Sequence, residues 1–290
     1  MESKKRNVWI AVAAMLVVVC CGTVALAAVA AASLADRSFD WDFDWDAGWD
    51  EATRSESQRI EETFDAGSTP RLEVNNFAGR ITVQAGKSDT LHVVAIKKVR
   101  RNSDLGRIEI EMSEARGGVM IQTRNPTRLN NASVQLEITA PAGTRLDLDT
   151  GAGSVVVLGM TGDVEIDSGA GDVTLVDAKG QVDAHTGAGS IDIRGAEGSV
   201  RLHTGAGKID YAGAPGGNCR FRTGAGDIRL VLPASLSAKV DLDTGTGTIN
   251  VGFNVDGRVT KQHVQGIIDA GDQGTIQVDT GTGNIDLIRR

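Results

Sequence analysis

His185 and His203 stand eighteen residues apart, and both side chains could bind a metal or titrate near neutral pH. Their spacing matters only if the fold lays residue i over residue i+18. Asp149 and Asp167 precede the pair at the same offset, and Arg222 and Asp243 follow at the equivalent place in the next units, 19 and 21 residues on, so the histidines sit inside a longer polar row. No third ligand accompanies the pair, which is read as part of an outward polar ladder rather than a metal site. A parallel row runs Asp147, Glu165, Asp183, Arg201, Arg220, Asp241. From the two rows, Arg201, His203, Arg220 and Arg222, with Lys208 nearby, make a candidate basic patch for an acidic polymer or partner. The bland alternative is a mixed soluble surface, with cross-strand pairs each worth under about 1 kcal/mol.

Asp192 and Asp210 share the eighteen-residue offset, and paired carboxylates are what glycoside hydrolysis needs. A sugar site also wants aromatic platforms, but Tyr211 and Phe221 fall on positions that alternate inward. No Ser/His/Asp or Cys/His arrangement has a recognisable elbow. No catalytic residue, metal ligand or cofactor site is assigned, and the chain is read as not an enzyme.

Glycine-rich turns suggest two further chemistries. A calcium nonapeptide array needs Asp two residues after the last glycine. Val155, Val173, Ile191, Ile209 and Ile228 hold that place, so the oxygen ligand is replaced by a core residue. A phosphate loop needs Gly-Lys-Ser/Thr after a suitable loop and a helix to lend its N-terminus; no Gly-Lys-Ser/Thr here follows such a loop, and no helix is available.

What the glycines do is punctuate a repeat. Thr/Ser-Gly-Ala/Thr-Gly begins at residues 150, 168, 186, 204, 223, 244 and 280, giving spacings of 18, 18, 18, 19, 21 and 36. The turn glycines are Gly151, Gly153, Gly169, Gly171, Gly187, Gly189, Gly205, Gly207, Gly224, Gly226, Gly245, Gly247, Gly281 and Gly283. After each turn come two apolar residues flanking a polar one: Val155/Val157, Val173/Leu175, Ile191/Ile193, Ile209/Tyr211, Ile228/Leu230, Ile249/Val251 and Ile285/Leu287. Half a unit later the pattern recurs as Val164/Ile166, Val182/Ala184, Val200/Leu202, Cys219/Phe221, Val240/Leu242 and Ile276/Val278. Alternation of this kind turns one face of a short strand inward. Identical turns are needed only where coils superpose, so the pattern predicts a parallel β-solenoid of about 18-residue coils rather than a meander of hairpins. Cys219, on an inward position, is expected to be a buried thiol.

Around the repeat the chain divides further. Residues 63–145 are strand-rich and less regular, a cap or set of larger coils. Asn76-Phe77-Ala78-Gly79 resembles a degenerate first turn. Residues 146–290 carry the regular repeats, interrupted at 252–275 by a decorated coil or loop. Thirty-six glycines among recurrent Val and Ile argue for turns between strands rather than disorder. A net charge of −8 argues against nucleic-acid binding.

Residues 8–35 are almost unbroken apolar, longer than the roughly 20 residues that span a bilayer. They are expected to be a transmembrane signal-anchor helix, with the lipid bilayer as partner. Ser33-Leu34-Ala35 would suit cleavage before Asp36, but the length favours retention. Lys4, Lys5 and Arg6 precede the span and aspartates follow it. The positive-inside rule therefore gives a cytoplasmic tail at 1–7 and an extracytoplasmic remainder, single-pass in the cell membrane. Cys20 and Cys21 are read as packed or lipid-facing. Residues 36–62 form an acidic, aromatic linker in which Trp41, Trp45 and Trp49 suit a helical face and residues 39–46 a strand. It is read as a poorly ordered spacer.

The chain resembles the bacterial putative-adhesin β-strand-repeat family, a domain of unknown function. The likeness rests on Leu72-Glu73-Val74-Asn75-Asn76 with Gly79-Arg80-Ile81-Thr82-Val83, on Leu146-Asp147-Leu148-Asp149-Thr150, on the Thr-Gly-x-Gly repeats, and on Lys261-Gln262-His263 before the last turn. It covers about residues 60–290. The resemblance implies a β-solenoid ectodomain of the cell envelope and supplies no catalytic residues. The expected function is membrane-anchored display for adhesion, scaffolding or interaction, with an envelope polymer or membrane protein as partner. The alternatives are a sensing ectodomain of an envelope-stress system and, third, a polysaccharide lyase or hydrolase.

Overall fold

The computed structural model describes residues 56–66, 70–115 and 118–290. The expected cytoplasmic tail, the 8–35 span and the linker up to residue 55 lie outside the described residues. Among the described residues no helix is long and apolar enough to cross a membrane.

In chain order the opening strands are β1 (Glu56–Asp65), β2 (Arg71–Asn76), β3 (Ile81–Gly86), β4 (Thr90–Val99), β5 (Glu109–Ala115), β6 (Gly118–Arg124) and β7 (Ser133–Pro141). The regular stretch follows as β8 (Arg145–Thr150), β9 (Val155–Leu158), β10 (Val164–Ala170), β11 (Val173–Val176), β12 (Val182–Ala188), β13 (Ile191–Gly198), β14 (Val200–Ala206), β15 (Ile209–Pro215), β16 (Gly217–Ala225) and β17 (Ile228–Leu232). The chain closes with β18 (Ala238–Thr246), β19 (Ile249–Val251), β20 (Asp256–Val259), β21 (His263–Ile268), β22 (Gly274–Thr282) and β23 (Ile285–Arg289).

These strands make an 11-stranded and a 12-stranded sheet, and each coil contributes one strand to each. Val164 pairs with Val182 and Val182 with Val200, all in parallel. Val173 likewise pairs with Ile191 and Ile191 with Ile209. The eighteen-residue period of the sequence is therefore the pairing register of the sheets. Inward aliphatics from the two sheets meet in one continuous core. Every inward pair of the repeat is buried except Ile249/Val251, which is half-buried because β19 is the edge of its sheet. Cys219 is a free, buried cysteine, and burial raises its pKa. Beside it Tyr211 packs against Phe221 with ring centroids 5.3 Å apart. The buried phenol is satisfied by donating to the Ala196 carbonyl at 3.2 Å.

The corners explain the Thr-Gly-x-Gly signature. The buried threonine hydroxyl donates to the carbonyl of the second turn glycine one coil away: Thr186 to Gly171 at 2.9 Å, Thr204 to Gly189 at 2.8 Å and Thr223 to Gly207 at 2.9 Å. The two glycines are required for different reasons. Gly207 has φ +154°, and a Cβ there would lie 2.0 Å from the Gly189 carbonyl oxygen. Gly205 lacks a left-handed φ, but a Cβ would lie 2.4 Å from the Gly187 oxygen. Positive φ, expected for the turn as a whole, belongs to the second glycine; the first is there for close approach. The residue after the turn adds another link, since Asp172 accepts the Ser190 backbone N–H at 2.8 Å and Asp227 that of Asn284 at 2.8 Å.

Chain order and spatial order part company at both ends. Along the 12-stranded sheet the sequence is β20-β21-β18-β22-β16-β14-β12-β10-β8-β2-β6-β5. The last coil in the chain, β22–β23, is inserted between β16–β17 and β18–β19. The polar rows expected to run from Arg220 to Asp241 and from Arg222 to Asp243 are corrected accordingly: Gln277 and Asp279 stand between. Residues 252–275, expected to be a decorated coil or loop, supply β20 and β21, an antiparallel hairpin on the outer side of β18. At the other end β2–β3 is a true coil, stacked in register on β8–β9, with β6–β7 on its far side. Antiparallel β4, β1 and β5 finish that end. Strand β1 begins at Glu56, seven residues inside the stretch read as linker. Pairing along the whole of β4 orders it, and Ile60 and Phe64 pack against the core. Among the described residues the stack comprises β6–β7, β2–β3, β8–β9, β10–β11, β12–β13, β14–β15, β16–β17, β22–β23 and β18–β19, nine coils.

Candidate functional site

The outer face of the 12-stranded sheet carries the polar rows. Between Leu146/Leu148 and Ile276/Val278, alternate residues of each strand point away from the core, so they line up at strand spacing, about 4.8 Å. Asp149, Asp167, His185, His203, Arg222, Asp279 and Asp243 form one column in register. Beside it run Asp147, Glu165, Asp183, Arg201, Arg220, Gln277 and Asp241. The face thus changes sign along the stack: carboxylates over β8 and β10, Asp183 beside His185 on β12, then guanidinium groups with His203 over β14 and β16, then carboxylates again over β22 and β18.

Four members of the candidate basic patch lie together on β14 and β16. Arg201 neighbours Arg220, and His203 neighbours Arg222. Lys208 sits past the corner, in the turn between β14 and β15, where its backbone N–H donates to Ser190 Oγ at 3.4 Å. The patch is partly neutralised from both sides. Arg201 donates to Asp183 Oδ2 at 2.9 Å and Arg222 to Asp279 Oδ2 at 2.9 Å, while Arg220 makes hydrogen bonds of 3.0 and 2.5 Å to the Gln277 side-chain oxygen. Asp279 and Gln277 escape a reading of the repeat in chain order, because they belong to the inserted coil. Their only sequence signal is the 36-residue gap before the last turn, twice the usual period.

The histidine rings lie with centroids 5.4 Å apart and are tilted by 52° to each other. Burial, His185 and Arg222 together lower the pKa of His203, so its neutral form is favoured. His185 Nε2 lies 3.3 Å from Asp183 Oδ1. At the acidic end, burial and the charges of Asp167 and Asp147 raise the pKa of Asp149. Among the described residues no group of three or more His, Cys, Asp or Glu side chains could hold a metal ion. Asp192 and Asp210 do stack in register on the other sheet, and Asp192 is paired with Arg194. A hollow of about 440 Å³ lies at the β19 edge, lined by Asn250, Val251, Gly252 and Asp286 to Arg289, away from the basic rows.

The family model of Toastrack DUF4097 matches residues 143–288, half of the chain. No curated protein matches. Among solved structures, a putative cell adhesion protein from Clostridium sporogenes aligns over 81% of this chain and 100% of its own, at 14% identity and a TM-score of 0.43. A putative adhesin from Bacteroides fragilis aligns over 80% of this chain and 97% of its own, at 10% identity and a TM-score of 0.40.

Proposed function

We propose that this chain, which belongs to the Toastrack DUF4097 family, is a non-catalytic display module held at the cell membrane by residues 8–35. In this reading the exported solenoid offers its outer rows to an acidic envelope polymer or a membrane protein partner. The observation that carries it is two neighbouring in-register columns across β14 and β16, Arg201 with Arg220 and His203 with Arg222, on an exposed sheet face. Arg201 and Arg220 at strand spacing, about 4.8 Å, with Arg222 in the column beside them, suit an extended polyanion, whose charges repeat along its length. Arg201 and Arg222 already hold carboxylates at rim-like exposure, so an incoming anion exchanges partners at little cost. Attraction of this kind is screened by salt.

The test uses the full-length chain in lipid nanodiscs and an acidic polysaccharide such as polygalacturonate. Binding should fall at least tenfold in the Arg201→Ala, Arg220→Ala, Arg222→Ala triple variant and weaken with added salt. Equal binding by the triple variant would sink the assignment of the rows. Capture of an integral membrane signalling protein, with no polymer binding, would move the reading to a sensing ectodomain. Orientation is checked by protease added outside intact cells, which should cut the 36–55 segment and spare the N-terminal tail.

A further inference from the structure

The coil that ends the chain fills a slot whose two walls could also pair with each other. On one side β16 presents Cys219, Arg220, Phe221 and Arg222 to Ile276, Gln277, Val278 and Asp279. On the other side β18 presents Val240, Asp241, Leu242 and Asp243 to those same four residues. Remove β22 and the two walls match: apolar residues meet apolar residues, and both arginines meet aspartates. The corners match too, since Thr280 donates to the Gly226 carbonyl at 3.0 Å and Thr244 to the Gly283 carbonyl at 2.8 Å, one shared geometry. A direct β16–β18 pairing would therefore repeat the bonding of the regular stack.

Folding favours that closed slot first. Pairing Arg222 with Asp243 closes a loop of 21 residues, whereas pairing it with Asp279 closes one of 57. Shorter loops cost less entropy and form sooner. Until the slot reopens, β22–β23 has apolar faces and no neighbour, so whichever slot opens first, its own or another molecule's, can capture it. The connection to the coil is short, from β21 to β22, and two of its residues, Asp269 at 54° and Gly271 at 70°, have positive φ, as does Gly274 at 135°, the first residue of β22. Short, conformationally demanding hinges are where exchange between copies relieves the turn.

We infer that the closing coil is exchangeable: β22–β23 of one copy enters the slot between β16–β17 and β18–β19 of a second copy of this chain. The partner surface is the two-walled slot, and the ligand is a coil identical to residues 274–289. The exchange makes no new type of contact, so its extent follows concentration during folding.

The test uses two full-length populations carrying Cys20→Ser and Cys21→Ser, one with Arg222→Cys and the other, longer by a tag, with Asp279→Cys. Unfolded together, refolded together and oxidised, they should give a mixed disulfide dimer that grows with concentration. The same populations folded separately before mixing should give little of it. Lys239→Cys and Thr275→Cys repeat the experiment at the other wall, where the residues also face each other. The idea is overturned if a single chain carrying both cysteines of a pair closes its disulfide internally while neither mixed experiment yields dimer.

Discussion

The middle of the stack and its C-terminal end are built from the same turn and the same alternation, yet they obey different rules. From β8–β9 to β16–β17 each coil lies on the one before it in sequence, and the register is the sequence period. After β17 the turns are equally regular, but the next coil in the chain is not the next coil in space. The comparison teaches that a Thr-Gly-x-Gly corner specifies how two coils superpose without specifying which two. Where spacing leaves one arrangement within reach, order follows the chain. Where 36 residues separate two turns, several arrangements become available and the finish of the end decides.

The difference can be tested by substitution, and the largest contrast is between buried and edge positions. Val182→Asp, in the fully buried middle, should cost about 3–5 kcal/mol by burying an unpaired charge. Val251→Asp, on the half-buried edge strand β19, should cost about 1 kcal/mol. Urea unfolding of both variants measures the gap, and equal losses would show that the end coil is as enclosed as the middle. Next in size is the corner. Gly207→Ala should cost about 2–4 kcal/mol, because Cβ would meet the Gly189 carbonyl and the left-handed φ is strained. Gly143→Ala, with open space around its Cβ, should stay within about 0.5 kcal/mol of the parent in the same assay.

A smaller effect is expected from the hydroxyl link. Thr204→Val should lose about 1 kcal/mol, since the Gly189 carbonyl loses a donor while the packed volume is kept. Ser168, the one serine in the threonine column, has a buried hydroxyl without a partner in the structure, so Ser168→Thr should be neutral or slightly stabilising by thermal melting. The smallest effect separates chain order from spatial order most directly. A double-mutant cycle between Arg222 and Asp279 should give a coupling of about 0.5 kcal/mol, and one between Arg222 and Asp243 a coupling near zero. A reversal of those two values would restore the order read from the sequence.

Much of this was legible without coordinates. The alternation of Val164/Ile166 and Val173/Leu175 marks inward faces, because a strand has a period of two and water penalises the other choice. The repeat of Thr-Gly-x-Gly marks superposed corners, because only glycine lets carbonyls of adjacent coils come so close. Cys219 was placeable in the core on the same grounds. The candidate basic row was visible as Arg201, His203, Arg220 and Arg222, but its neutralising neighbour Asp279 was not. That residue is 57 positions from Arg222, and nothing local ties the two together.

The sequence by itself determined the strand faces, the corner chemistry and the coil-to-coil register, all of which are properties of segments of about eighteen residues. Only the tertiary structure decided which coil occupies each rung, where the hairpin β20–β21 closes the sheet and that β1 pairs with β4. The physical reason is that local patterning fixes what a strand buries, whereas the choice among equivalent neighbours depends on loop closure and on covering the open ends.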